Sequence, residues 1–302
     1  MTVTNPDLSQ PNLLLASLFQ PALPPRRPDA HKGDAGSVAM VGGASGMLGA
    51  VLLAARAAQL MGAGRVYAAM LASDGPALDL NQPEIMFRRP EQLTQLAQLD
   101  ALVIGPGLGV SEAAMALLDF WLRQDLPLLL DADALNLLAQ HAYLVELCQS
   151  RSAETVITPH VGEAARLLAT SSAAIQKNRA DSALRLARLL HASCVLKGAA
   201  SLCAHHSGAC FINSTGNPSL ATAGTGDVLS GMVGSFMAQG LSGFEAIKLA
   251  VYVHGAAADA LVAEGIGPLG LTASELAMSA RRILNQLNAS SRAPLAVGEL
   301  AP

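Results

Sequence analysis

The strongest fold signal in this sequence is the segment Asn213-Ser-Thr-Gly-Asn-Pro-Ser-Leu-Ala-Thr-Ala-Gly-Thr-Gly-Asp-Val-Leu-Ser-Gly231. Its second half contains Gly224-Thr-Gly-Asp227. Apolar residues follow at helical spacing, namely Val228, Leu229, Met232, Val233, Phe236 and Met237. This spacing predicts a helix that begins at the glycines. Because N–H groups at a helix start attract negative charge, the segment predicts an anion site.

Asp227 has two interpretations at this position. It is a residue type that caps helices. An acid beside an anion site is also suited to act as a general base next to a phosphate. The local sequence leaves both interpretations open.

Predicted strands and helices alternate on the N-terminal side of this segment, from Ser37 onward. The alternation predicts an α/β fold with a mainly parallel sheet and helices on both faces. Polar or glycine-rich clusters follow the strands: Gly42-Gly43, Gly105-Pro-Gly-Leu-Gly109, Asp131-Ala-Asp133, Thr158-Pro-His160, Lys197-Gly198 and Gly224-Thr-Gly-Asp227. Since such sheets bind ligands at the carboxyl ends of their strands, we expect the clusters to form one site.

The composition excludes several classes of protein. The net charge is −4 and no Lys/Arg-rich run occurs, which argues against a nucleic-acid surface. Leu13-Leu-Leu15 has no basic residue before it and no cleavage pattern after it, so we expect neither a signal peptide nor a membrane span. The cysteines lack CxxC spacing and predict reduced, buried thiols in a cytoplasmic protein: Cys148, Cys194, Cys203 and Cys210.

Three parts are expected along the chain. Residues 1–30 are rich in proline and predict an extended arm. Residues 31–290 contain no internal repeat and no linker, so we expect a single catalytic domain there. Residues 291–302 are expected to form a disordered tail.

The glycine clusters do not match the common nucleotide motifs. Gly42-Gly43-Ala-Ser-Gly46 departs from GxGxxG, and no acidic residue ends the next strand, which disfavours a Rossmann NAD site. No GxxxxGK[ST] occurs, which excludes a P-loop. Gly42-Gly43 is suited either to close packing or to a bulky ligand. The segment from Gly105 to Gly109 is either a tight turn or a cradle in which the amides of Gly107 to Gly109 hold a phosphate or amide oxygen.

The charged residues at the strand ends also carry alternatives. Asp131 and Asp133 lie on opposite sides of a strand end unless the strand has already turned. We expect one of them, Asp131, to contact Mg²⁺ through water and the other to cap the helix that contains Asn136. His160 is either a structural hydrogen-bonding residue or a ligand contact. Lys197 is either a solvated lysine at a turn or a point charge for phosphate.

The ordered set of clusters resembles the ribokinase-like superfamily and, in detail, the ADP/ATP-dependent (S)-NAD(P)H-hydrate dehydratases. The resemblance covers about residues 22–288 and rests on His31-Lys-Gly-Asp34, Gly42-Gly43, Gly49-Ala50, Gly105-Pro-Gly-Leu-Gly109, Asp131-Ala-Asp-Ala-Leu-Asn136, Thr158-Pro-His160, Gly162-Glu163, Lys197-Gly198, Gly216-Asn-Pro218 and Gly224-Thr-Gly-Asp227. It implies a three-layer α/β fold. It also implies repair of (6S)-hydrated NADH or NADPH, by phosphorylation of the ring hydroxyl and elimination of phosphate.

The resemblance implies roles for individual residues. Those implied to contact the hydrate are Ala50, Gly107, His160 and Asp227, with Asp227 as the catalytic base. Those implied to bind the adenine nucleotide are Lys197, Gly198, Ala199, Ala200, Ser201 and Gly226. The amides of Gly224, Thr225 and Gly226 are suited to stabilise the transferring phosphoryl group while Asp227 takes the hydroxyl proton.

The resemblance further implies ADP or ATP as co-substrate with Mg²⁺, and ADP giving AMP is the expected donor. It implies an NAD(P)H-hydrate epimerase as functional partner and a homo-oligomer, with a tetramer as the expected form. The sequence departs from the family pattern at Ala35, Met47-Leu48, Val161 and Ser201. Two other functions stay open: a ribokinase-like kinase of a thiazole or pyrimidine alcohol, and a non-catalytic nucleotide-binding protein. Lys32-Gly-Asp34 together with Thr158-Pro-His160 favours the dehydratase.

Overall fold

The computed structural model describes residues 11–19 and 22–290. The first ten residues of the predicted arm, residues 20–21 and the predicted tail at 291–302 lie outside the described residues. The strands are β1 (Asn12–Leu13), β2 (Ser37–Gly42), β3 (Arg65–Met70), β4 (Met86–Arg88), β5 (Ala101–Ile104), β6 (Leu128–Leu130), β7 (Thr155–Ile157), β8 (Ser193–Leu196), β9 (Leu202–His205) and β10 (Cys210–Ile212). The α-helices are α1 (Leu48–Leu60), α2 (Glu112–Leu122), α3 (Asp133–Gln140), α4 (Ala142–Gln149), α5 (Val161–Leu167), α6 (Ser172–Lys177), α7 (Arg179–Leu189), α8 (Thr225–Ala238), α9 (Gly243–Ala263) and α10 (Ala273–Ser290).

The described strands form one sheet in the order β1-β10-β9-β8-β7-β6-β5-β2-β3-β4. Every pair from β8 to β4 is parallel, and β9 is antiparallel to both of its neighbours. The mainly parallel sheet that the sequence predicts is therefore confirmed. The parallel strands all end at the same edge, which brings their C-terminal loops together.

Alternating side chains of the strands build two separate cores. In β2, Val38 and Met40 pack with the helices on one face, and Ala39 and Val41 pack on the other. Helices α1, α8, α9 and α10 cover the first face, whereas α2 to α7 cover the second. Helix α8 lies tightly against α1, since a Cβ on Gly231 would come within 2.0 Å of the Ala54 carbonyl oxygen. The result is the expected three-layer α/β architecture.

Part of the predicted arm joins the sheet. Asn12–Leu13 pairs in parallel with β10, and Leu14 and Phe19 are buried in the first core. Neither this strand nor β4 is predictable from the sequence, because both are short edge strands without an alternating apolar pattern. The domain boundary near residue 30 stays a prediction.

Helix α9 is a core helix of this fold. By length and composition it is the one described helix apolar enough to cross a membrane, but 67% of its apolar window is buried inside the protein. It packs against α8 and α10. The four cysteines are free and buried, which confirms the prediction of unpaired, buried thiols.

Candidate active site

The loops at the carboxyl ends of the strands hold one another by hydrogen bonds. These bonds are Ala44 N to Gly107 O (2.7 Å), Gly109 N to Asp133 Oδ2 (2.8 Å) and Lys197 N to Pro159 O (2.8 Å). The lysine side chain then crosses to the loop after β6. The clusters that follow different strands thus form one continuous edge, as the sequence predicts.

Helix α8 begins at the glycines of the opening segment. Gly224 is its N-cap, with a left-handed φ of 89° that favours glycine. Within the described residues, the amides of Gly224, Gly226 and Asp227 have no hydrogen-bond acceptor, and Thr225 N reaches Thr222 O only at 3.4 Å. These donors are available to an anion, which is the geometry that an anion hole requires.

Asp227 lies in the first turn of α8 but does not cap it. The cap interpretation is wrong, because Gly224 takes that position and no side chain caps the helix. Burial, the charge of Asp131 and that of Asp133 raise the pKa of Asp227 to about 6, against the opposing effect of Lys197. A carboxyl group with such a pKa is poised to accept a proton near neutral pH.

Lys197 extends from the end of β8 into a buried ion pair. Its Nζ lies 2.7 Å from Asp131 Oδ1, and Ser230 Oγ donates to Asp131 Oδ2 at 2.7 Å. Burial acts to lower the pKa of Lys197, but the charges of Asp131, Glu163 and Asp227 outweigh it, so the pKa is raised. The solvated-lysine alternative is therefore excluded, and a permanent positive charge lies within the site.

The lysine charge is next to the start of α8. A Cβ on Gly226 would lie 3.5 Å from Lys197 Nζ, so the ammonium approaches the backbone of the first helical turn. The unpaired amides and the ammonium together form a surface of hydrogen-bond donors. Such a surface is suited to phosphate oxygens.

The chain has already turned at Asp131, directly after β6, so Asp131 and Asp133 are not held on opposite sides of a strand. Ala132 has a left-handed φ of 49°, and both Asp131 and Asp133 raise the pKa of Asp227. The prediction that Asp133 caps α3 is wrong, since Ala132 is the N-cap residue and no side chain caps the helix. Instead, Asp133 accepts from Gly109 N and from Asn136 Nδ2.

The Asp133 carboxylate also determines which amides of the loop after β5 are free to bind a ligand. The amide of Gly109 is taken by Asp133, and Leu108 N donates to Gly105 O. The prediction that this run of amides holds a phosphate is therefore wrong for Leu108 and Gly109. Gly107 N alone among the three has no acceptor within the described residues.

Two residues of the predicted hydrate contacts, Ala50 and Gly107, come together. A Cβ on Gly107 would lie 3.2 Å from Ala50 Cβ and 2.5 Å from the Met47 carbonyl oxygen. Only glycine fits at this contact between the loop after β5 and the start of α1. Met47, one of the departures from the family pattern, is 40% exposed at the same place.

His160 is a helix cap in this structure. Its Nδ1 accepts from Gly162 N at 2.9 Å, and its Nε2 lies 3.1 Å from Glu163 Oε1. Glu163 completes a capping box by accepting from His160 N. The ring is about half exposed at the site edge, and its contact with a hydrate stays a prediction.

The Lys-Gly segment forms a turn after β8. Gly198 has a φ of 144°, and Ser201 Oγ donates to the Gly198 carbonyl. Arg179 contacts this turn through Leu196 O and Ala200 O, at 3.3 and 3.4 Å. Neither Arg179 nor Ser230 is a predicted site residue: no motif surrounds Arg179, and Ser230 follows Gly224-Thr-Gly-Asp227 within a run of apolar helical residues.

Fold and site together define a class: an α/β protein of the ribokinase-like type with free backbone amides at a helix start and an adjacent carboxylate. A solved ribokinase-like superfamily protein from Enterococcus faecalis is similar, with 26% identity, a TM-score of 0.79, and coverage of 95% of this chain and 99% of that chain. The ADP/ATP-dependent NAD(P)H-hydrate dehydratase of Bacillus subtilis, co-crystallised with ATP and Mg²⁺, has 30% identity, a TM-score of 0.80, and coverage of 92% and 99%.

The family model for NAD(P)H-hydrate dehydratase matches residues 38–281. The chain belongs to this family. It is 40% identical over 268 residues to the ADP-dependent (S)-NAD(P)H-hydrate dehydratase of Neisseria meningitidis, covering 88% of this chain and 90% of that protein. It is also 40% identical to the bifunctional NAD(P)H-hydrate repair enzyme of Coxiella burnetii, covering 88% of this chain. Relatives of this bifunctional type are longer, and this chain spans about half of them, 54% in Coxiella burnetii.

Proposed function

We propose that this protein repairs (6S)-hydrated NADH and NADPH by nucleotide-dependent dehydration. The observation that carries the proposal is the Asp227 carboxylate, which accepts no hydrogen bond within the described residues and belongs to the first turn of α8, where the amides are free. Its pKa of about 6 suits a base at neutral pH. Membership of the NAD(P)H-hydrate dehydratase family supports the choice of reaction.

The first step is phosphorylation of the ring hydroxyl. Asp227 accepts the hydroxyl proton while the oxygen attacks the terminal phosphorus of the nucleotide, and the bond to the leaving phosphate oxygen breaks. The amides at Gly224 and Gly226, and the ammonium of Lys197, stabilise the charge on the transferring group. Positioning and electrostatics carry such a transfer, and this chain supplies both at the start of α8.

The second step is elimination. Phosphate leaves far more readily than hydroxide, and the ring nitrogen donates its electron pair as the carbon–oxygen bond breaks. Loss of a proton from the neighbouring ring carbon then restores the dihydronicotinamide. With ADP as donor, the products are NADH or NADPH, AMP and phosphate.

The donor-binding surface is proposed to consist of the turn after β8 and the start of α8. Its members are Lys197, Gly198, Ala199, Ala200, Ser201 and Gly226. The hydrate is proposed to bind against Ala50, Gly107 and His160, with its ring hydroxyl beside Asp227. ADP is the proposed donor because the relative from Neisseria meningitidis is ADP-dependent.

Mg²⁺ is proposed to arrive with the nucleotide phosphates. No group of three or more His, Cys, Asp or Glu side chains in the described part of the chain could hold a metal ion. Both carboxylate oxygens of Asp131 already accept hydrogen bonds, one from Lys197 and one from Ser230. Asp131 therefore fits a contact with Mg²⁺ through water and not direct ligation of the ion. The ion supplies neutralisation of phosphate charge when bound.

A product assay tests this function against the kinase alternative. The protein is incubated with hydrated NADH and either ADP or ATP, and the absorbance of NADH, free phosphate and nucleotides are followed. Recovery of NADH absorbance with release of phosphate is expected. A stable phosphorylated product would support the kinase, and nucleotide binding without any turnover would support a non-catalytic protein.

The proposal also includes a functional partner, a cellular location and an oligomeric state. An NAD(P)H-hydrate epimerase is the expected functional partner, since bifunctional relatives of this chain are repair enzymes of about twice the matched length. The four free, buried thiols support a cytoplasmic location. A homo-oligomer, with a tetramer as the expected form, is tested by light scattering of the purified protein.

A further inference from the structure

One buried histidine near the site has no role in the proposed chemistry. His254 lies on α9 and is 8% exposed. Its Nε2 is 2.9 Å from the carbonyl oxygen of Thr225, the first residue of α8. Because a carbonyl oxygen only accepts, Nε2 carries the proton and donates it.

The ring is neutral under ordinary conditions. Burial lowers the pKa of His254 to about 4, although the Thr225 carbonyl acts to raise it, and Lys197 adds a further lowering effect. A neutral ring with its proton on Nε2 is a fixed donor. The bond therefore joins α9 to the same helical turn that carries the free amides.

Other contacts of α9 hold the loop that leads into α8. Thr215 Oγ1 donates to the Tyr252 carbonyl at 3.0 Å, and Asp259 accepts from Gly216 N at 2.8 Å. A Cβ on Gly255 would come within 2.3 Å of Thr215 Oγ1, so the loop is seated directly on the helix. Helix α9 thus fixes both ends of the segment that forms the anion hole.

We propose that His254 is a positioning residue for the nucleotide phosphate. By holding the Thr225 carbonyl, it sets the direction of the first turn of α8, so that the amides of Gly226 and Asp227 meet the phosphate beside Lys197. It does not contact the substrate. The proposal rests on the nucleotide site of the proposed function and adds the residue that orients it.

Binding of ADP and of adenosine, measured by calorimetry without any hydrate, tests this role. His254→Leu is expected to weaken ADP binding about tenfold, because a lost hydrogen bond of about 1–1.5 kcal/mol misaligns the amides. Adenosine has no phosphate, so its binding is expected to change less than about twofold. His254→Gln, which keeps an N–H donor, is expected to recover much of the ADP affinity.

Ser279→Ala provides a matched control. Ser279, a buried residue of α10, donates its Oγ hydrogen bond to a carbonyl of α9, that of Ala257, instead of to a carbonyl of α8. This variant is expected to bind ADP as the wild type does. Equal weakening of ADP and adenosine by His254→Leu, or no weakening of either, would overturn the proposal.

A measurement on the wild-type protein covers the case in which His254→Leu does not fold. The ¹⁵N shifts of the labelled histidine rings are expected to show the His254 ring, assigned as the signal that is missing in His254→Gln, as neutral with its proton on Nε2 down to about pH 5. A charged His254 ring at this pH, or a proton on its Nδ1, would contradict the donor role. If His254→Leu weakens ADP binding more than adenosine binding but the wild type does not repair hydrated NADH, the dehydratase proposal fails and the role of His254 stands. If the wild type binds no ADP, both proposals fail.

Discussion

The ammonium of Lys197 lies 2.7 Å from Oδ1 of Asp131, and the same ammonium approaches the backbone of Gly226. Asp131 is 1% exposed and is held on its other oxygen by Ser230. This pair therefore connects the end of the central strand β6 with the start of α8. Removing one member leaves the other buried without its partner, which is costly.

The first prediction concerns this pair. Lys197→Met is expected to lower the free energy of unfolding by about 3–5 kcal/mol, because it leaves the Asp131 charge unpaired. Lys197→Met combined with Asp131→Asn is expected to recover much of the stability but not the ADP affinity. Urea unfolding and calorimetry measure both. A double variant no more stable than the single one would contradict the pairing.

The pH dependence of turnover is the second prediction. Asp227 accepts a proton only when ionised, so kcat/KM is expected to fall below about pH 6 with the pKa of this group. Asp131→Asn removes a charge that raises this pKa, and the acid limb is expected to move to lower pH. An unchanged limb, or one that moves to higher pH, would count against Asp227 as the titrating base.

Ser230→Ala is the third prediction. The hydroxyl donates to Asp131 at 2.7 Å in a fully buried position, so its loss is expected to cost about 1–3 kcal/mol of stability. Lys197 then loses its fixed position, and the KM for ADP is expected to rise. Ser235→Ala is the control, because Ser235 is also buried on α8 but interacts with Gln239. Equal kinetic effects of the two variants would contradict a specific role for Ser230.

The fourth prediction concerns stability and pH for Asp227→Asn. The folded pKa of Asp227 is raised from 3.8 to about 6, so ionising this group costs folding free energy. Stability from the neutral carboxyl is present at low pH and is lost as the pH rises from about 4 to 6. Above pH 6 the variant is expected to exceed the wild type by on the order of 1–3 kcal/mol. Thermal unfolding at pH 4 and pH 8 checks this, and equal differences at both values would contradict it.

Much of the sheet could be predicted because its strands alternate with helices and end in glycine or polar clusters. Strands β5, β6, β7 and β8 end directly before the clusters that begin at Gly105, Asp131, Thr158 and Lys197, as the sequence pattern predicts. The helix start at Gly224 was predictable for the same reason, since the glycines precede an apolar helical pattern. These signals are local, and sequence spacing carries them well.

Contacts between distant segments could not be predicted in this way. Asp133 accepts from Gly109, which is 24 positions earlier, and no local pattern indicates that pairing. His254 looks like an ordinary residue of an apolar helix until the fold places it against Thr225. The left-handed conformation of Ala132 could not be predicted either, because no glycine marks that position. This turn determines that Asp131 and Asp133 do not lie on opposite sides of the strand end.

Turnover by Asp227→Asn provides the decisive comparison with the wild type. Each protein is mixed with hydrated NADH and ADP, and NADH absorbance is followed together with AMP and phosphate. The wild type is expected to recover NADH with one AMP and one phosphate for each NADH, whereas the variant binds ADP normally and recovers none. Turnover retained in Asp227→Asn would contradict the assignment of Asp227 as the base and the reaction built on it.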